Sequence, residues 1–166
     1  MEIKVDKVKL GLDKFELPGE IRKATPEDIS RIAEIVVLAK RMFWKHIYHH
    51  DEWIFQDLQV LPLCREYEEN PESLEEIYVF EEPFVKGMIR VSDGEVQEIF
   101  VDPFFQMQGI GNALLDFGKD QLKIHELWVK EKNEIAICFF EHHGFQKTSE
   151  TRLEEKTEEP MVKMVR

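Results

Sequence analysis

The sequence predicts an α+β (α/β) domain in which a mixed, mostly antiparallel sheet carries helices on both faces. Two observations support this fold class. Three apolar stretches separated by turn residues indicate a meander of strands at 77–80, 84–91 and 96–101. Before and after the meander, apolar residues recur at helical spacing, as they do at Ile29, Ile32, Ala33, Val36 and Val37. We therefore expect one sheet with helices packed against it.

Composition indicates one globular domain and excludes several classes of protein. The chain has 166 residues, of which 43% are hydrophobic, and no apolar run approaches the roughly 20 residues of a membrane span. Charged residues interrupt the first six positions, which is unlike a signal peptide. Two cysteines far apart in the sequence, Cys64 and Cys138, favour neither a disulfide scaffold nor a zinc site. We expect a cytoplasmic protein.

The net charge of −12 bears on the partners that the chain can bind. A surface this acidic argues against nucleic acid and against anionic membranes as partners. Solubility alone explains such a charge. The alternative is that the charge attracts cationic small molecules or basic peptide segments.

The order of patterns predicts a short extension followed by a single domain. Residues 1–20 alternate weakly and are expected to form an added edge strand, or a strand followed by a loop. The domain proper is expected to cover 21–166 and to begin with a strand, followed by a helix that starts at Thr25 and Pro26. The remaining expected segments are a second helix at 41–61, a solvated loop or short helix at 66–76, a strand at 127–129, a helix starting at Asn133 and a final antiparallel pair at 145–153 and 161–165.

A strand–loop–helix stretch carries the first sign of function. The strand at 95–101 is followed by a loop whose glycines, Gly109 and Gly111, open a helix. The first N–H groups of a helix have no partner within it and lie at its positive end, so they bind phosphate. A Walker A loop is excluded because Asn112 and Ala113 stand where Lys and Ser or Thr are required. A dinucleotide fingerprint would need glycine in place of Leu114.

The loop Gln106-Met107-Gln108-Gly109-Ile110-Gly111 resembles the acyl-CoA pyrophosphate loop of the GCN5-related N-acetyltransferase (GNAT) superfamily. A second segment, from Asn133 through Ala136, Phe139 and Phe140 to Gly144-Phe145, resembles another motif of the same superfamily. The likeness extends from about Ile21 to the C-terminus. It implies acetyl-CoA as cosubstrate, direct attack by a primary amine in a ternary complex, and a small-molecule or peptide amine as acceptor. A homodimer is left open.

The resemblance also implies roles for individual residues. The backbone of Ile99, Phe100 and Val101 would hold the pantetheine arm, and Asn133 would contact it. The backbone amides from Gln106 to Asn112 would bind the pyrophosphate; these residues are Gln106, Met107, Gln108, Gly109, Ile110, Gly111 and Asn112. Phe140 stands where the family usually has a tyrosine, whose phenol can protonate the departing sulfur. A phenyl ring has no proton to give.

Two carboxylates on the strand, Glu95 and Glu98, are candidates for the general base that deprotonates the amine. A regular strand would place them on opposite faces, so that at most one would face the substrate. Glu95 is favoured because the matching position is often acidic in the family. Glu98 lies nearer the thioester end. Each could instead be a solvated strand carboxylate.

Side chains near residue 50 are candidates for the acceptor site. His46, His49 and His50 have the i, i+3, i+4 spacing that could seat a metal, but no second ligand cluster supports one, and we expect no metal. The resembled fold places this region beside the acceptor. His46, Tyr48 and Trp53 are therefore predicted to shape the acceptor pocket, and a surface or packing role is the alternative for each of them.

Two other functions use the same motifs. The chain could be a non-catalytic module or sensor that binds acyl-CoA, or a nucleotide-binding protein that uses the same loop. CoA contains an adenine nucleotide, so competition by ATP does not separate these functions. Release of free thiol after addition of an amine distinguishes the enzyme from the binding module.

Overall fold

A computed structural model describes residues 8–9, 16–49 and 51–166, with the side chains of 17–47, 49 and 51–166. The strands in these residues are β1 Val8–Lys9, β2 Glu16–Leu17, β3 Glu20–Lys23, β4 Ile77–Glu81, β5 Val85–Ser92, β6 Glu95–Val101, β7 Glu126–Lys130, β8 Gln146–Leu153 and β9 Pro160–Val165. The helices are α1 Ile29–Tyr48, α2 Val60–Glu69, α3 Pro71–Glu75, α4 Ile110–Gln121 and α5 Glu134–His142. None of the helices in this part of the chain is long and apolar enough to span a membrane.

Seven strands form one sheet in the order β3-β4-β5-β6-β7-β9-β8. β6 and β7 pair in parallel, and the other neighbouring strands pair antiparallel. The mixed, mostly antiparallel sheet confirms the predicted fold class. The predicted meander is also confirmed, since β4, β5 and β6 are consecutive neighbours in the sheet.

The prediction of a separate second helix at 41–61 is wrong. α1 continues without interruption through Tyr48, because no glycine or proline stands between Ile29 and Tyr48 to end it. The helix stops where His49 adopts a left-handed conformation at φ 51°. A π-helical turn at Trp53–Asp57 then leads into α2. For residues 66–76, the structure contains the short-helix alternative, as the end of α2 and then α3.

The N-terminal strands do not extend the main sheet. β1 pairs antiparallel with β2, so the two form a separate two-stranded sheet instead of the added edge strand that was one of the expectations. Leu17 packs against the main core. The edge of the large sheet is β3, whose four residues pair with β4.

Each face of the sheet has its own hydrophobic core. On one face, here called the α4 face, α4 and α5 cover a core that contains Ile89, Val96, Leu114, Leu127 and Phe140. On the other, here called the α1 face, α1 and α2 cover a core that contains Ile32, Val36, Tyr67, Val79 and Met88. A candidate site between β6 and β7 therefore has a helical layer on both sides.

Candidate active site

The sheet opens between β6 and β7. Only Glu95↔Glu126 and Val96↔Leu127 are paired in the register of these two strands, although β6 continues to Val101 and β7 to Lys130. Among the described residues, the later parts of the two strands therefore face each other without forming a ladder. This opening, here called the slot, leaves strand backbone available to hydrogen-bond an extended ligand.

A bulge in β6 decides which side chains face the slot from the α1 face. Val96 lies opposite Val91 and Glu98 lies opposite Arg90, so Gln97 is an extra residue on β6. Because the bulge reverses the alternation, Glu95 and Glu98 lie on the same face of the sheet. The expectation that they would lie on opposite faces is wrong, since it assumed a regular strand.

The helix that follows β6 begins without a side-chain cap. Gly109 is the N-cap of α4, at φ 89°, and the first helical N–H that donates to a backbone carbonyl is that of Ala113, 3.0 Å from the carbonyl of Gly109. The N–H groups of Ile110, Gly111 and Asn112 thus have no partner within the helix. An uncapped helix start beside the open end of the slot is suited to an anionic ligand.

Gly111 has room for a side chain that it does not carry. A Cβ built on Gly111 would lie 3.7 Å from the Phe139 ring and 3.8 Å from Val101, which are ordinary contacts. Packing within the protein therefore does not require glycine here. Glycine leaves room for a ligand to approach the start of the helix closely.

A buried ion pair anchors the start of the loop. The carboxylate of Asp102 accepts hydrogen bonds from Arg31 on α1 at 2.5 Å and from the N–H of Phe104 at 2.8 Å. Arg31 also donates to the carbonyl of Val85 at 2.9 Å. Sequence reasoning missed this anchor because its partners lie 71 residues apart. The Asp102-Pro103 pair, a typical cap sequence, was the available signal.

α5 packs on the α4 face of the sheet. Asn133 caps it as predicted, because its side-chain oxygen accepts the N–H of Ala136 at 3.2 Å. Phe140 is buried, with 6% of its surface exposed, and its ring lies between those of Phe139 and Phe145 at 5.3 Å and 6.0 Å. The position of the expected tyrosine is thus occupied by a core phenyl ring.

On the α1 face, the slot is bordered by two lysines and an indole. Lys40 lies 3.2 Å from the carboxylate of Glu98, and its ammonium is 5.0 Å from the centre of the Trp44 ring. The ammonium of Lys130 lies 3.8 Å from the same ring and 3.8 Å from Glu154. Burial lowers the pKa of Lys130; the negative charge of Glu154 opposes this shift without cancelling it, and the positive charge of Lys40 adds to it.

Sequence reasoning missed this cluster. Lys40 and Trp44 are four residues apart, so their shared helix face could have been read from the sequence. The burial of Lys130 could not have been read from the sequence, because it depends on contacts with α1 and with the loop after β8. The cluster makes the α1 side of the slot both aromatic and charged.

The predicted acceptor residues are only partly brought to the slot. The ring of Trp53 stacks on Trp44, with 5.6 Å between the ring centres. His46 is exposed near the end of α1, and Tyr48 is the last residue of that helix, with its side chain outside the described part. His50 also lies outside the described residues. Within those residues, no three potential ligands come together for a metal.

Comparison with known proteins connects this geometry to one family. A model of the acetyltransferase (GNAT) domain matches residues 73–147, which contain β6, the loop, α4, β7 and α5. An uncharacterised N-acetyltransferase of Methanocaldococcus jannaschii is 29% identical over an alignment of 139 residues, and the match covers 76% of this chain and 60% of that protein. The chain thus spans about 60% of the length of this curated relative.

Solved structures share the fold at low sequence identity. The PaiA N-acetyltransferase of Thermoplasma acidophilum, in complex with coenzyme A, is 20% identical with a TM-score of 0.61, and the match covers 90% of this chain and 100% of that one. An N-acetyltransferase of Staphylococcus aureus is 17% identical with a TM-score of 0.67, over 88% of this chain and 99% of that one. These likenesses concern the fold.

Proposed function

Because a model of the acetyltransferase (GNAT) domain matches residues 73–147, we propose that this chain belongs to the GNAT superfamily and transfers the acetyl group of acetyl-CoA to a primary amine. The observation that carries the proposal is the slot between β6 and β7, together with the uncapped start of α4 at its open end. A thioester with a long polar arm and a pyrophosphate fits this pair of features. The acceptor is a small-molecule or peptide amine.

The two ends of the cosubstrate would be held mainly by backbone. The N–H groups between Gln106 and Asn112 would bind the pyrophosphate, and Ile99, Phe100 and Val101 would hydrogen-bond the pantetheine arm along the open edge of β6. Asn133, at the start of α5, would contact the arm from the other side. Binding through main chain agrees with the acidic composition, because it requires few basic side chains.

Attack would occur near the closed end of the slot. The amine nitrogen bonds to the thioester carbon, the carbon–sulfur bond breaks, and the amine proton passes to a carboxylate directly or through water. The bulge turns Glu95 and Glu98 to the same face, so both are candidates for this base. Glu98 lies beyond the last paired position and therefore at the slot, whereas Glu95 lies within the paired end.

Binding is tested by calorimetry with CoA and acetyl-CoA. Gly111→Asp would put a carboxylate against the pyrophosphate, and we expect affinity to fall at least tenfold while circular dichroism stays unchanged. A Gln146→Glu variant is the control, because it adds one negative charge at an exposed position of β8, outside the loop and α4. Equal affinity in wild type and Gly111→Asp would refute the cosubstrate site.

The base is tested by two matched substitutions in steady-state kinetics. Loss of a general base costs about 10²–10⁴-fold in rate, and we expect a loss in this range for Glu98→Gln or Glu95→Gln. Both remove one charge from the same face of the same strand. If neither changes the rate or the shape of the pH–rate profile, the amine is deprotonated elsewhere.

One observation favours a second function, that of a non-catalytic acyl-CoA module. Phe140 cannot protonate the departing thiolate, which the family's usual tyrosine would do. Mass spectrometry of amines, amino acids, polyamines and peptides after incubation with acetyl-CoA separates the two functions. Tight CoA binding without thiol release for any amine would favour the module.

A further inference from the structure

A cavity of about 350 Å³ lies on the α1 face where α2 and α3 meet the sheet. Its lining is polar and mostly acidic: Glu66, Tyr67, Asn70, Glu72, Ser73, Glu76 and Arg90. A neighbouring cavity of about 730 Å³ shares Glu72 and Glu76 with it.

Tyr67 is the unusual residue in this lining. It is buried, with 3% of its surface exposed, yet among the described residues no hydrogen bond involves its hydroxyl. The hydroxyl oxygen itself still reaches solvent, so it opens into the cavity and not into the core. Here the side chain lines a cavity, where a bound ligand could supply the missing partner.

The charges around the cavity favour a cation. Arg90 is neutralised locally, because its Nε lies 2.9 Å from the carboxylate of Glu76, which also accepts from Ser92 at 2.7 Å. In the part of the chain that the structure describes, Glu66 and Glu72 form no ion pair. The cavity thus retains two unneutralised carboxylates beside the free hydroxyl of Tyr67.

The spacing of the carboxylates favours an organic cation over a metal ion. A metal would need several oxygens at one point, and no group of three potential ligands in the described residues could hold one. An ammonium group carries three N–H donors, and an aliphatic diamine carries two such groups separated by a flexible chain. Donors spread in this way can reach carboxylates that do not converge.

We propose that this cavity binds the ammonium group of a small aliphatic amine, with the hydroxyl of Tyr67 and the carboxylates of Glu66 and Glu72 as acceptors. The inference does not depend on acetyl transfer, because binding can be measured without acetyl-CoA. The ammonium could belong to the distal end of the acceptor or to a separate effector.

The position of the cavity allows either source. Arg90, in its lining, is the cross-strand partner of Glu98, and the negative charge of Glu98 acts on Tyr67. The cavity therefore lies next to the strand position that carries a candidate base. A diamine with one ammonium in the cavity could direct its second amine toward Glu98, whereas an effector would occupy the cavity alone.

Calorimetry with 1,4-diaminobutane and with butylamine, at about 150 mM salt and without acetyl-CoA, tests the proposal. We expect the diamine to bind more tightly than the monoamine. Tyr67→Phe removes only the hydroxyl and should weaken diamine binding about fivefold, the value of one ordinary hydrogen bond. The double variant Glu66→Gln/Glu72→Gln should weaken it at least tenfold.

The matched control is Glu68→Gln/Glu69→Gln, which removes the same charge from exposed positions of α2 outside the cavity lining. We expect its diamine affinity to stay within twofold of wild type. Equal losses in the two double variants would show general attraction by an acidic surface and would overturn the proposal. Undetectable diamine binding, or unchanged binding in a folded Tyr67→Phe variant, would also overturn it.

The same variants distinguish the two sources of the ammonium. If the cavity holds the distal end of the acceptor, Tyr67→Phe raises KM for acetylation of 1,4-diaminobutane and leaves kcat and the kinetics with butylamine unchanged. If it holds an effector, 1,4-diaminobutane changes the rate of acetylation of another amine, and Tyr67→Phe removes that response. Either result supports the binding site.

Discussion

Gly111 is the residue at which folding and cosubstrate binding can be separated most cleanly. Its built Cβ makes only ordinary contacts, and alanine is favoured over glycine in a helix by up to about 1 kcal/mol. We predict that Gly111→Ala leaves the melting temperature unchanged or raises it. We also predict that it weakens CoA binding at least tenfold, because the added methyl group occupies space that the ligand needs at the start of the helix. Calorimetry and thermal unfolding of one preparation measure both effects.

The control for Gly111→Ala lies in the same helix. A Cβ on Gly118 would come within 2.9 Å of Ile124, so Gly118→Ala should lower the melting temperature. Its folded fraction should bind CoA normally, because Gly118 lies two turns from the helix start. A Gly111→Ala variant that loses stability and keeps CoA affinity would show that packing, and not a ligand, selects glycine at this position.

Phe140 is the residue at which the chain departs from the family pattern. We predict that Phe140→Tyr leaves CoA affinity unchanged and raises the rate of acetyl transfer, because the added phenol can protonate the departing thiolate. Free-thiol release with an identified acceptor measures the effect. Phe139→Tyr adds the same hydroxyl on the neighbouring ring and should not accelerate transfer. A fall in turnover for Phe140→Tyr would mean that this ring packs against the cosubstrate and that another group protonates the departing thiolate.

At the scale of secondary-structure elements, the Arg31–Asp102 pair joins α1 to the loop that precedes α4. Asp102→Asn keeps the acceptor for Phe104 and removes the ionic contact with Arg31. We predict a loss of about 1–3 kcal/mol in unfolding free energy, and weaker CoA binding because the loop is no longer fixed at its start. Urea unfolding and calorimetry measure the two quantities.

Glu34 provides the control for this ion pair. It pairs with the same Arg31 at 2.6 Å, but its side chain is 56% exposed. Because an exposed pair contributes less than about 1 kcal/mol, Glu34→Gln should change stability and CoA affinity little. Equal effects of Glu34→Gln and Asp102→Asn would contradict a specific role for the buried pair.

His143 joins α5 to the first turn of α4. Its Nε2 lies 2.9 Å from the side-chain oxygen of Asn112, which requires Nε2 to carry a hydrogen and to donate it. Nδ1 can then accept from Lys119 at 3.3 Å. Burial lowers the pKa of His143, and the negative charge of Asp116 opposes that shift without cancelling it. The folded protein therefore favours neutral His143.

A pH dependence of stability follows from the lowered pKa of His143. Between its folded pKa and the ordinary value of 6.5, the unfolded chain binds more protons, so unfolding free energy rises with pH. We predict that wild type loses more stability than His143→Gln as pH falls from 7.5 to about 5.5. Exposed His46 is the control, and His46→Gln should follow wild type. If unfolding free energy falls with pH equally in wild type and His143→Gln, His143 is not the source of the pH dependence.

At the scale of the whole molecule, the sheet is divided at the slot. β7, β9 and β8 connect to the rest of the sheet through two residue pairs and through the core beneath α4 and α5. A ligand that bridges β6 and β7 should hold the two parts together. We predict that acetyl-CoA slows hydrogen exchange at residues 98–101, 107–112 and 128–130, while exchange in β4 stays unchanged. Uniform protection across the sheet would indicate global stabilisation and not a ligand in the slot.

The sequence by itself determined the local parts of the site. The strand, the loop with Gly109 and Gly111, the start of α4 and the cap at Asn133 lie within about 40 consecutive residues, and each depends on the preferences of a few neighbours. Binary patterning likewise predicted the meander and the fold class. Even here, one local signal was misjudged: the end of α1 depends on a left-handed His49, for which the sequence gives little warning.

Only the tertiary structure decided how these parts meet. The slot exists because β6 and β7 pair at two positions and then separate, and the bulge at Gln97 turns Glu95 and Glu98 to one face. Lys40 meets Glu98, and Arg31 meets Asp102, across 58 and 71 residues. The physical reason is that strand register, bulges and buried ion pairs depend on contacts between distant residues, which local propensity and spacing do not specify.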